Sequence, residues 1–226
     1  MIPIADSIKS RRFAIWNLIF VVVTIYVFFF QLTALDPESF IYQYALIPAN
    51  VDFGNYYSLL PFITSIFLHG GFLHIIANML FLWVFGDNVE GHLPFLLYPI
   101  LYIGSGVVGA LTQYFFMPDS QIPMLGASGA VAGALGAYFT LFPRHKIKTL
   151  VFLPPFVTTI EVSAFFMLGY WFLLQIFSGI VSIPMAGVQT GGVAFFAHIG
   201  GFVFGLLFAK LFAHKDNKDI TEDLTI

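Results

Sequence analysis

Three short stretches carry side chains suited to nucleophilic or acid–base chemistry, and each lies beside an apolar segment. They are GASG at 126–129, AHIGG at 197–201 and HGGFLHIIAN at 69–78. Polar and ionisable groups cost free energy in hydrocarbon, and where they occur there they usually face a protein interior or a water-filled cavity. We therefore predict that the three stretches meet to form one reactive site inside a membrane.

Ser128 and His198 have the chemistry of a nucleophile and its base. A serine hydroxyl is a poor nucleophile until a base takes its proton, and histidine is the side chain best suited to take it. A carboxylate would complete a triad. The acidic residues nearest the apolar segments lie at their edges or in connections; these are Asp87, Glu90, Asp119 and Glu161. The sequence therefore predicts a Ser–His dyad in which packing, and not an acid, orients the histidine.

His74 and Asn78 are candidates for stabilising the negative oxygen that forms when a serine attacks an acyl group. They are four residues apart, so they share one face of a helix, and both side chains can donate hydrogen bonds. Such an oxygen needs donors. The backbone N–H of Ser128, at a helix start, is a further free donor.

Each of these residues also has a purely structural interpretation. A serine among glycines in a membrane helix is usually a packing residue whose hydroxyl bonds a carbonyl one turn back. An intramembrane histidine can be structural or can relay protons, and the His74–Asn78 pair can join two helices. Three histidines also suggest a metal site, but no Glu, Asp or Cys shares their depth to complete a familiar ligand set. We therefore predict no metal site.

The composition places the chain in a bilayer. Of its 226 residues, 59% are hydrophobic and 9% are charged, whereas a soluble domain has about 25% charged residues. The mean hydropathy is +0.90. The chain has no cysteine, which excludes disulfides, thiolate nucleophiles and cysteine metal sites.

The apolar segments and their connections predict an all-α protein with six membrane helices. The first segment, 13–30, is too long for the apolar region of a cleaved signal peptide, and the later ones cover 72–86, 94–116, 128–143, 159–182 and 196–213. Glycines in the fourth and sixth segments would allow close helix contact. The long connection 34–68 is rich in aromatic residues, so we expect it in one leaflet near the interface. The predicted domains are a tail at 1–12, a membrane domain at 13–213 and a tail at 214–226.

The positions of lysine and arginine support six helices. With that number, all nine fall on one side, whereas the connections assigned to the other side (34–68, 117–125 and 184–195) contain none. The positive-inside rule then places both termini in the cytoplasm. The nine residues are Lys9, Arg11, Arg12, Arg144, Lys146, Lys148, Lys210, Lys215 and Lys218.

The three stretches also agree in depth. At 1.5 Å per residue, Ser128 lies about 24 Å along a helix from Arg144. On the same rise His198 lies about 26 Å from Lys215, and His74 about 20 Å from Asp87. In a hydrocarbon core about 30 Å thick, all three lie at similar heights, several ångströms below the outer surface.

Taken together, the motifs resemble those of the rhomboid intramembrane serine proteases. The resemblance rests on HGGFLHIIAN at 69–78, FGDNVEG at 85–91, GASG at 126–129 and AHIGG at 197–201, and it runs from about 50 to about 210. It implies a six-helix core and cofactor-free hydrolysis of membrane-spanning proteins. It makes the connection 34–68 a membrane-embedded first loop, and the fifth helix with the 184–195 loop a mobile gate and cap.

By this resemblance each candidate residue has an expected role. Ser128 is the nucleophile, His198 is the base, and His74 and Asn78 occupy the oxyanion positions. Supporting roles are expected for His69, which matches a polar position that does no chemistry, and for Gly126, Gly129 and Gly201.

Two positions depart from the family pattern. Members commonly have an aromatic residue four positions after the nucleophile, where it stacks on the histidine, and this chain has Ala132 there. Many also have a Trp-Arg pair before the second helix, where this chain has Tyr56, Tyr57 and Ser58. Because Ala132 has no ring to stack on the histidine, His198 must be held by some other group, or be held less tightly.

Two other classes of protein stay open. One is a rhomboid-like scaffold that binds membrane helices without cutting them, although such proteins lack the serine or the histidine. The other is a transporter that uses His74 and His198 as a proton relay, although the inverted repeats of transporters are not evident. For a protease we expect transmembrane substrates and the lipid bilayer as partners, with no nucleic acid and no metal. The short tails favour a prokaryotic plasma membrane.

Overall fold

The computed structural model describes residues 2–8, 10, 12–153, 155–183 and 192–213, which form a helix bundle with a small sheet at one end. The predicted class, an all-α membrane bundle, is confirmed in its main part. Predictions that concern Lys9, Arg11, 184–191 and 214–226 lie outside the described residues. The elements are β1 (Ile2–Asp6), α1 (Ile15–Thr33), α2 (Pro37–Tyr44), α3 (Tyr56–Leu59), α4 (Pro61–Thr64), α5 (Phe72–His92), α6 (Leu97–Phe116), α7 (Ser128–Leu141), β2 (Lys146–Leu153), β3 (Phe156–Ser163), α8 (Ala164–Ser182) and α9 (Phe195–Phe212), with 3-10 turns at Pro48–Asn50 and Ser65–Phe67.

Six of these helices occupy the six predicted apolar segments. Five of them, α1, α5, α6, α8 and α9, are long and apolar enough to cross a membrane by length and composition. Helix α7 has only 14 residues, which corresponds to about 21 Å at 1.5 Å per residue. The hydrocarbon core is about 30 Å thick. At least one end of α7 therefore lies within the membrane.

Helix α7 is buried in the bundle and packs against α5, α6 and α9. It meets α9 backbone to backbone: a Cβ atom at Gly201 would overlap the carbonyl of Gly129, and one at Gly205 would overlap the carbonyl of Gly133. Lipid provides no hydrophobic force between helices, so close contact between small residues is what stabilises their packing. These glycines therefore set the separation of α7 and α9.

A three-stranded antiparallel sheet of order β1-β2-β3 lies where α7 ends and α8 begins. The sequence predicted a tail at 1–12, a loop at 144–158 and the start of a helix at 159, and the structure corrects all three predictions. The sequences of β2 and β3, KIKTLVFL and FVTTIEVS, are rich in the β-branched and aromatic residues that favour strands. Helix α8 consequently begins at Ala164.

A buried carboxylate joins α1 to the end of α5. Glu90 is fully buried and accepts hydrogen bonds from the backbone N–H groups of Trp16 (3.1 Å) and Asn17 (2.8 Å). These N–H groups belong to the first turn of α1, where no intrahelical acceptor exists and negative charge is favoured. The guanidinium of Arg12 donates to the carbonyls of Glu90 and Leu93, both at 2.7 Å. Helix α5 thus extends past the predicted end at 86 to make this junction.

Asp6 joins the sheet to the bundle. Its carboxylate accepts hydrogen bonds from the Tyr138 hydroxyl (2.8 Å) on α7 and from the Asn88 amide (2.7 Å) on α5. Burial raises the pKa of the Asp6 carboxyl, while these two hydrogen bonds act in the opposite direction. The N-terminal strand is therefore held by a side chain as well as by strand pairing.

The connection 34–68 folds against the segment that leads into α7. Leu46 and Met124 exchange backbone hydrogen bonds of 3.0 and 2.7 Å, and the Ser65 carbonyl accepts from the Gly126 N–H at 2.9 Å. The placement of this connection in one leaflet stays a prediction. Its contacts explain how a loop distant in sequence shapes the approach to Ser128.

We expect Gly205→Ala to destabilise the bundle by about 1–3 kcal/mol, the usual cost of overpacking. The added methyl group has no space against the backbone of Gly133. The measurement is the midpoint of thermal unfolding in detergent micelles. Gly169→Ala is the matched control, because a Cβ atom there meets only the Phe139 ring, at 3.7 Å. Equal midpoints for the two variants would show that α9 can move away from α7 at no cost.

Candidate active site

The contact between α7 and α9 brings Ser128 and His198 together. Ser128 is the first residue of α7, and His198 lies in the first turn of α9. The distance between His198 Nε2 and Ser128 Oγ is 2.7 Å. Gly129 and Gly201 form the backbone contact directly behind this pair. The helix starts are thus fixed at the separation that a hydrogen bond between the two side chains requires.

Two residues of α8 hold the other side of the histidine ring. His198 Nδ1 lies 2.7 Å from Gln175 Oε1, and the imidazole stacks on the Trp171 indole with ring centroids 5.8 Å apart and planes inclined by 30°. These contacts replace the aromatic residue that is missing at Ala132. The sequence analysis did not identify either residue. The available signal was Gln175 itself, since an amide in an otherwise apolar membrane helix usually has a specific partner.

The Ser–His pair lines a cavity of about 600 Å³. His74, Asn78 and Gly126 line the same cavity, as do parts of the segments 122–126 and 192–194. A space of this size is typical of a ligand site. Among the described residues, no group of three His, Cys, Asp or Glu side chains is arranged to hold a metal ion.

His74 presents a donor to this cavity. Its Nδ1 accepts a hydrogen bond from the Gly70 N–H at 3.4 Å, so in the neutral ring the hydrogen lies on Nε2. A Cβ atom at Gly126 would lie 2.7 Å from His74 Nε2, and Gly126 has a φ of +125°. Both the close approach and the backbone conformation favour glycine. The absence of a side chain at Gly126 leaves the His74 N–H open.

His69 supports Asn78 and the backbone before Ser128. His69 is fully buried, and its Nε2 lies 3.0 Å from Asn78 Nδ2. The backbone N–H of Ala127 donates to the same ring nitrogen at 3.4 Å. Two donors directed at one nitrogen require that nitrogen to be unprotonated. One N–H of the Asn78 amide is then held by His69, and the second is left for another acceptor.

The structure therefore brings together all eight predicted site residues or places them directly beside the site. The catalytic roles assigned to them stay predictions. The fold and the site define a class: a polytopic membrane protein in which a half-buried serine and a buried histidine, supplied by two helix starts, face a cavity with further hydrogen-bond donors.

The chain belongs to the rhomboid family. A family model described as the Rhomboid domain matches residues 56–215, which include every predicted site residue.

Curated relatives carry the same family name. Rhomboid protein 1, mitochondrial, of Saccharomyces cerevisiae is 32% identical over 157 residues, which are 67% of this chain and 41% of that protein. Presenilin-associated rhomboid-like protein A, mitochondrial, of Danio rerio is 31% identical over 151 residues, or 65% of this chain and 36% of that protein. RHOMBOID-like protein 5 of Arabidopsis thaliana is 41% identical over 75 residues, which are 33% of this chain and 24% of that protein. The chain thus matches less than half the length of these relatives.

The predicted location in a prokaryotic plasma membrane is wrong. The yeast and zebrafish relatives are mitochondrial proteins by name and come from eukaryotes. The prediction failed because it rested on the shortness of the two tails, which does not identify a membrane. The distribution of lysine and arginine indicates only which parts of a chain share one side of a membrane. It does not indicate which membrane that is.

Proposed function

We propose that this chain is an intramembrane serine endopeptidase that cuts transmembrane segments of other proteins. The single observation that carries the proposal is the 2.7 Å distance between Ser128 Oγ and His198 Nε2, in a cavity that His74 and Asn78 also line. Membership of the rhomboid family supports the same chemistry. The names of the yeast and zebrafish relatives point to a mitochondrial membrane as the bilayer concerned.

The reaction begins with a proton transfer between the two central residues. His198 Nε2 takes the Ser128 hydroxyl proton while Oγ attacks the carbonyl carbon of the scissile peptide bond. The carbonyl oxygen becomes negative and receives hydrogen bonds from His74 Nε2–H, the free N–H of Asn78 and the Ser128 backbone N–H. Gly126 leaves the space that this oxygen occupies.

The intermediate then collapses to an ester. His198 returns the proton to the leaving nitrogen, which departs as an amine, and Ser128 stays acylated. Water in the cavity is deprotonated by His198 and attacks the ester, which releases the carboxylic acid product and restores the serine. At the end of the cycle the Ser128 hydroxyl and the His198 imidazole are both neutral again. The resting site therefore needs no buried charge.

Substitution of either central residue should abolish hydrolysis. We expect Ser128→Ala and His198→Ala to insert and fold but to lose cleavage of a transmembrane model substrate, and the double variant to be no worse than either, because the residues act as a unit. Ser128→Ala should also lose labelling by an activated phosphonate. Ser39→Ala, an exposed serine on α2, is the control. Wild-type protein that takes no label would favour the non-catalytic scaffold, or the transporter, over the protease.

Loss of one oxyanion donor should slow the reaction without preventing binding. We expect His74→Ala and Asn78→Ala each to lower kcat by about 10²–10³ if the site behaves like other oxyanion holes, with donors that share the load reducing the effect. Ile76→Ala on the exposed face of the same helix is the control. Wild-type rates in both variants would make His74 and Asn78 structural residues.

The substrate must unwind before Ser128 can reach a peptide bond, because the carbonyls of a regular helix are already hydrogen-bonded. Unwinding in hydrocarbon exposes backbone groups at several kcal/mol each, whereas a wet cavity satisfies them again. The proposed entry is lateral, along an apolar groove of about 570 Å³ formed by Phe81 on α5 and by residues of α8. Helix α8 is also the least buried of the five long apolar helices. Inside the bundle, 22% of its apolar stretch is buried, compared with 50% for α5 and α9.

A model substrate with Gly-Ser just inside the membrane boundary nearest the site should therefore be cut faster than one with Leu-Leu at the same place. Both would be assayed in proteoliposomes at matched amounts and matched insertion. Equal rates would mean that the stability of the substrate helix does not select substrates for this protein.

A further inference from the structure

The side-chain amide of Gln175 has one orientation that satisfies both of its neighbours. Its Nε2 donates to the Trp171 carbonyl at 3.4 Å, which directs Oε1 toward His198 Nδ1 at 2.7 Å. The opposite orientation would place two oxygen acceptors against each other. A carbonyl oxygen only accepts hydrogen bonds, so His198 Nδ1 must carry the hydrogen.

This hydrogen bond determines the state of the nitrogen that faces Ser128. With the hydrogen on Nδ1, the neutral imidazole has a free lone pair on Nε2, and Nε2 can accept the Ser128 hydroxyl at 2.7 Å. In a serine protease triad a carboxylate performs this orienting task. Here a neutral amide performs it. The amide avoids the cost of a further buried charge in a low-dielectric bundle.

Trp171 restricts the ring in the remaining direction. Its indole stacks on His198, and it also packs beside the Phe202 ring of α9, with the two ring centroids 6.1 Å apart. Trp171 and Gln175 are one turn apart on α8, so they fix the tilt and the rotation of the imidazole from the same helix. His198 and Gln175 are both buried. Solvent therefore does not substitute for either contact.

We propose that Gln175 and Trp171 are positioning residues that keep His198 in the tautomer and ring plane that the Ser128 hydroxyl requires. The proposal rests on the proposed function, in which His198 is the base. It goes further in assigning the third member of the site to α8. Trp171 also lines the apolar groove between α5 and α8. Trp171 thus belongs both to the groove and to the surroundings of His198. The imidazole is held in the required tautomer and plane only while α8 packs on α9.

The first measurement reads the tautomer directly. The protein is labelled with ¹⁵N-histidine and its ring nitrogens are observed by NMR. It contains six histidines, and the His198 signals are those that disappear in His198→Gln. We expect wild-type shifts typical of hydrogen on Nδ1, and a mixture of the two tautomers in Gln175→Met, which keeps the chain length but replaces the amide oxygen with a weakly accepting sulfur. Hydrogen on Nε2 in the wild type, or a tautomer unchanged by Gln175→Met, would overturn the proposal.

The second measurement separates positioning from packing. Gln175→Met should lower kcat about tenfold, the value of one hydrogen bond of ordinary strength, with KM within about twofold. Gln175→Glu keeps the acceptor, so it should restore most of the rate. It should also move the acid limb of the pH–rate profile to higher pH, because a carboxylate stabilises the imidazolium. Leu173→Met, on the exposed face of α8, is the matched control.

Thermal midpoints of all variants show whether any loss reflects unfolding. A Gln175→Met variant with wild-type kcat, or a Gln175→Glu variant as slow as Gln175→Met at equal stability, would contradict the proposal. Failure of the proposed function gives a different result: wild-type protein would show no phosphonate label on Ser128, whatever tautomer His198 adopts.

Discussion

The backbone contact between α7 and α9 is the constraint on which the rest of the structure depends. The backbone of Gly129 and Gly133 on α7 lies against Gly201 and Gly205 on α9, where a Cβ atom on either α9 glycine would overlap a carbonyl of α7. In a soluble protein, water would drive these helices together, but lipid does not, and dispersion between closely fitted surfaces must do so. Ser128 begins one of these helices and His198 lies in the first turn of the other. The geometry of the reactive pair is thus a consequence of helix packing, and the long connection 34–68 and α8 only complete it.

At two levels of the bundle, buried side chains form hydrogen bonds with chain elements distant in sequence. At the site, His69 holds Asn78 and the N–H of Ala127. At the opposite end of α5, Glu90 accepts the first N–H groups of α1. In the proposed function the first level serves chemistry, whereas the second fixes where α1 starts. Buried polar groups of this kind are costly unless they are paired. Both sets therefore add to the glycine contact between α7 and α9 in specifying how the helices are arranged.

The sequence predicted what depends on local pattern and missed what depends on tertiary neighbours. The six apolar segments and the stretches around Ser128 and His198 were identified because hydrophobic runs, glycines and isolated polar residues are visible along the chain. The sheet was missed because β1 has only five residues, one of them a proline, and its pairing with β2 is not visible along the chain. Gln175 and Trp171 were not predicted, because the sequence of α8 does not indicate which residue of α9 these side chains contact. Glu90 was taken for the edge of a helix, since its acceptor role appears only when the start of α1 lies beside it.

The pairing of β1 with β2 imposes an order on assembly. Ile2 pairs with Leu150, so the first strand to leave the ribosome waits for a partner made almost 150 residues later. At the usual 5–20 residues per second, the delay is roughly 7–30 s. During this time α1, α5, α6 and α7 are already synthesised, and β1 has an unpaired edge of the kind that invites incorrect pairing. The strand is short, with Asp6 as its last residue and Ser7 directly after it. β1 therefore has no strand partner until the β2–β3 hairpin emerges ahead of α8.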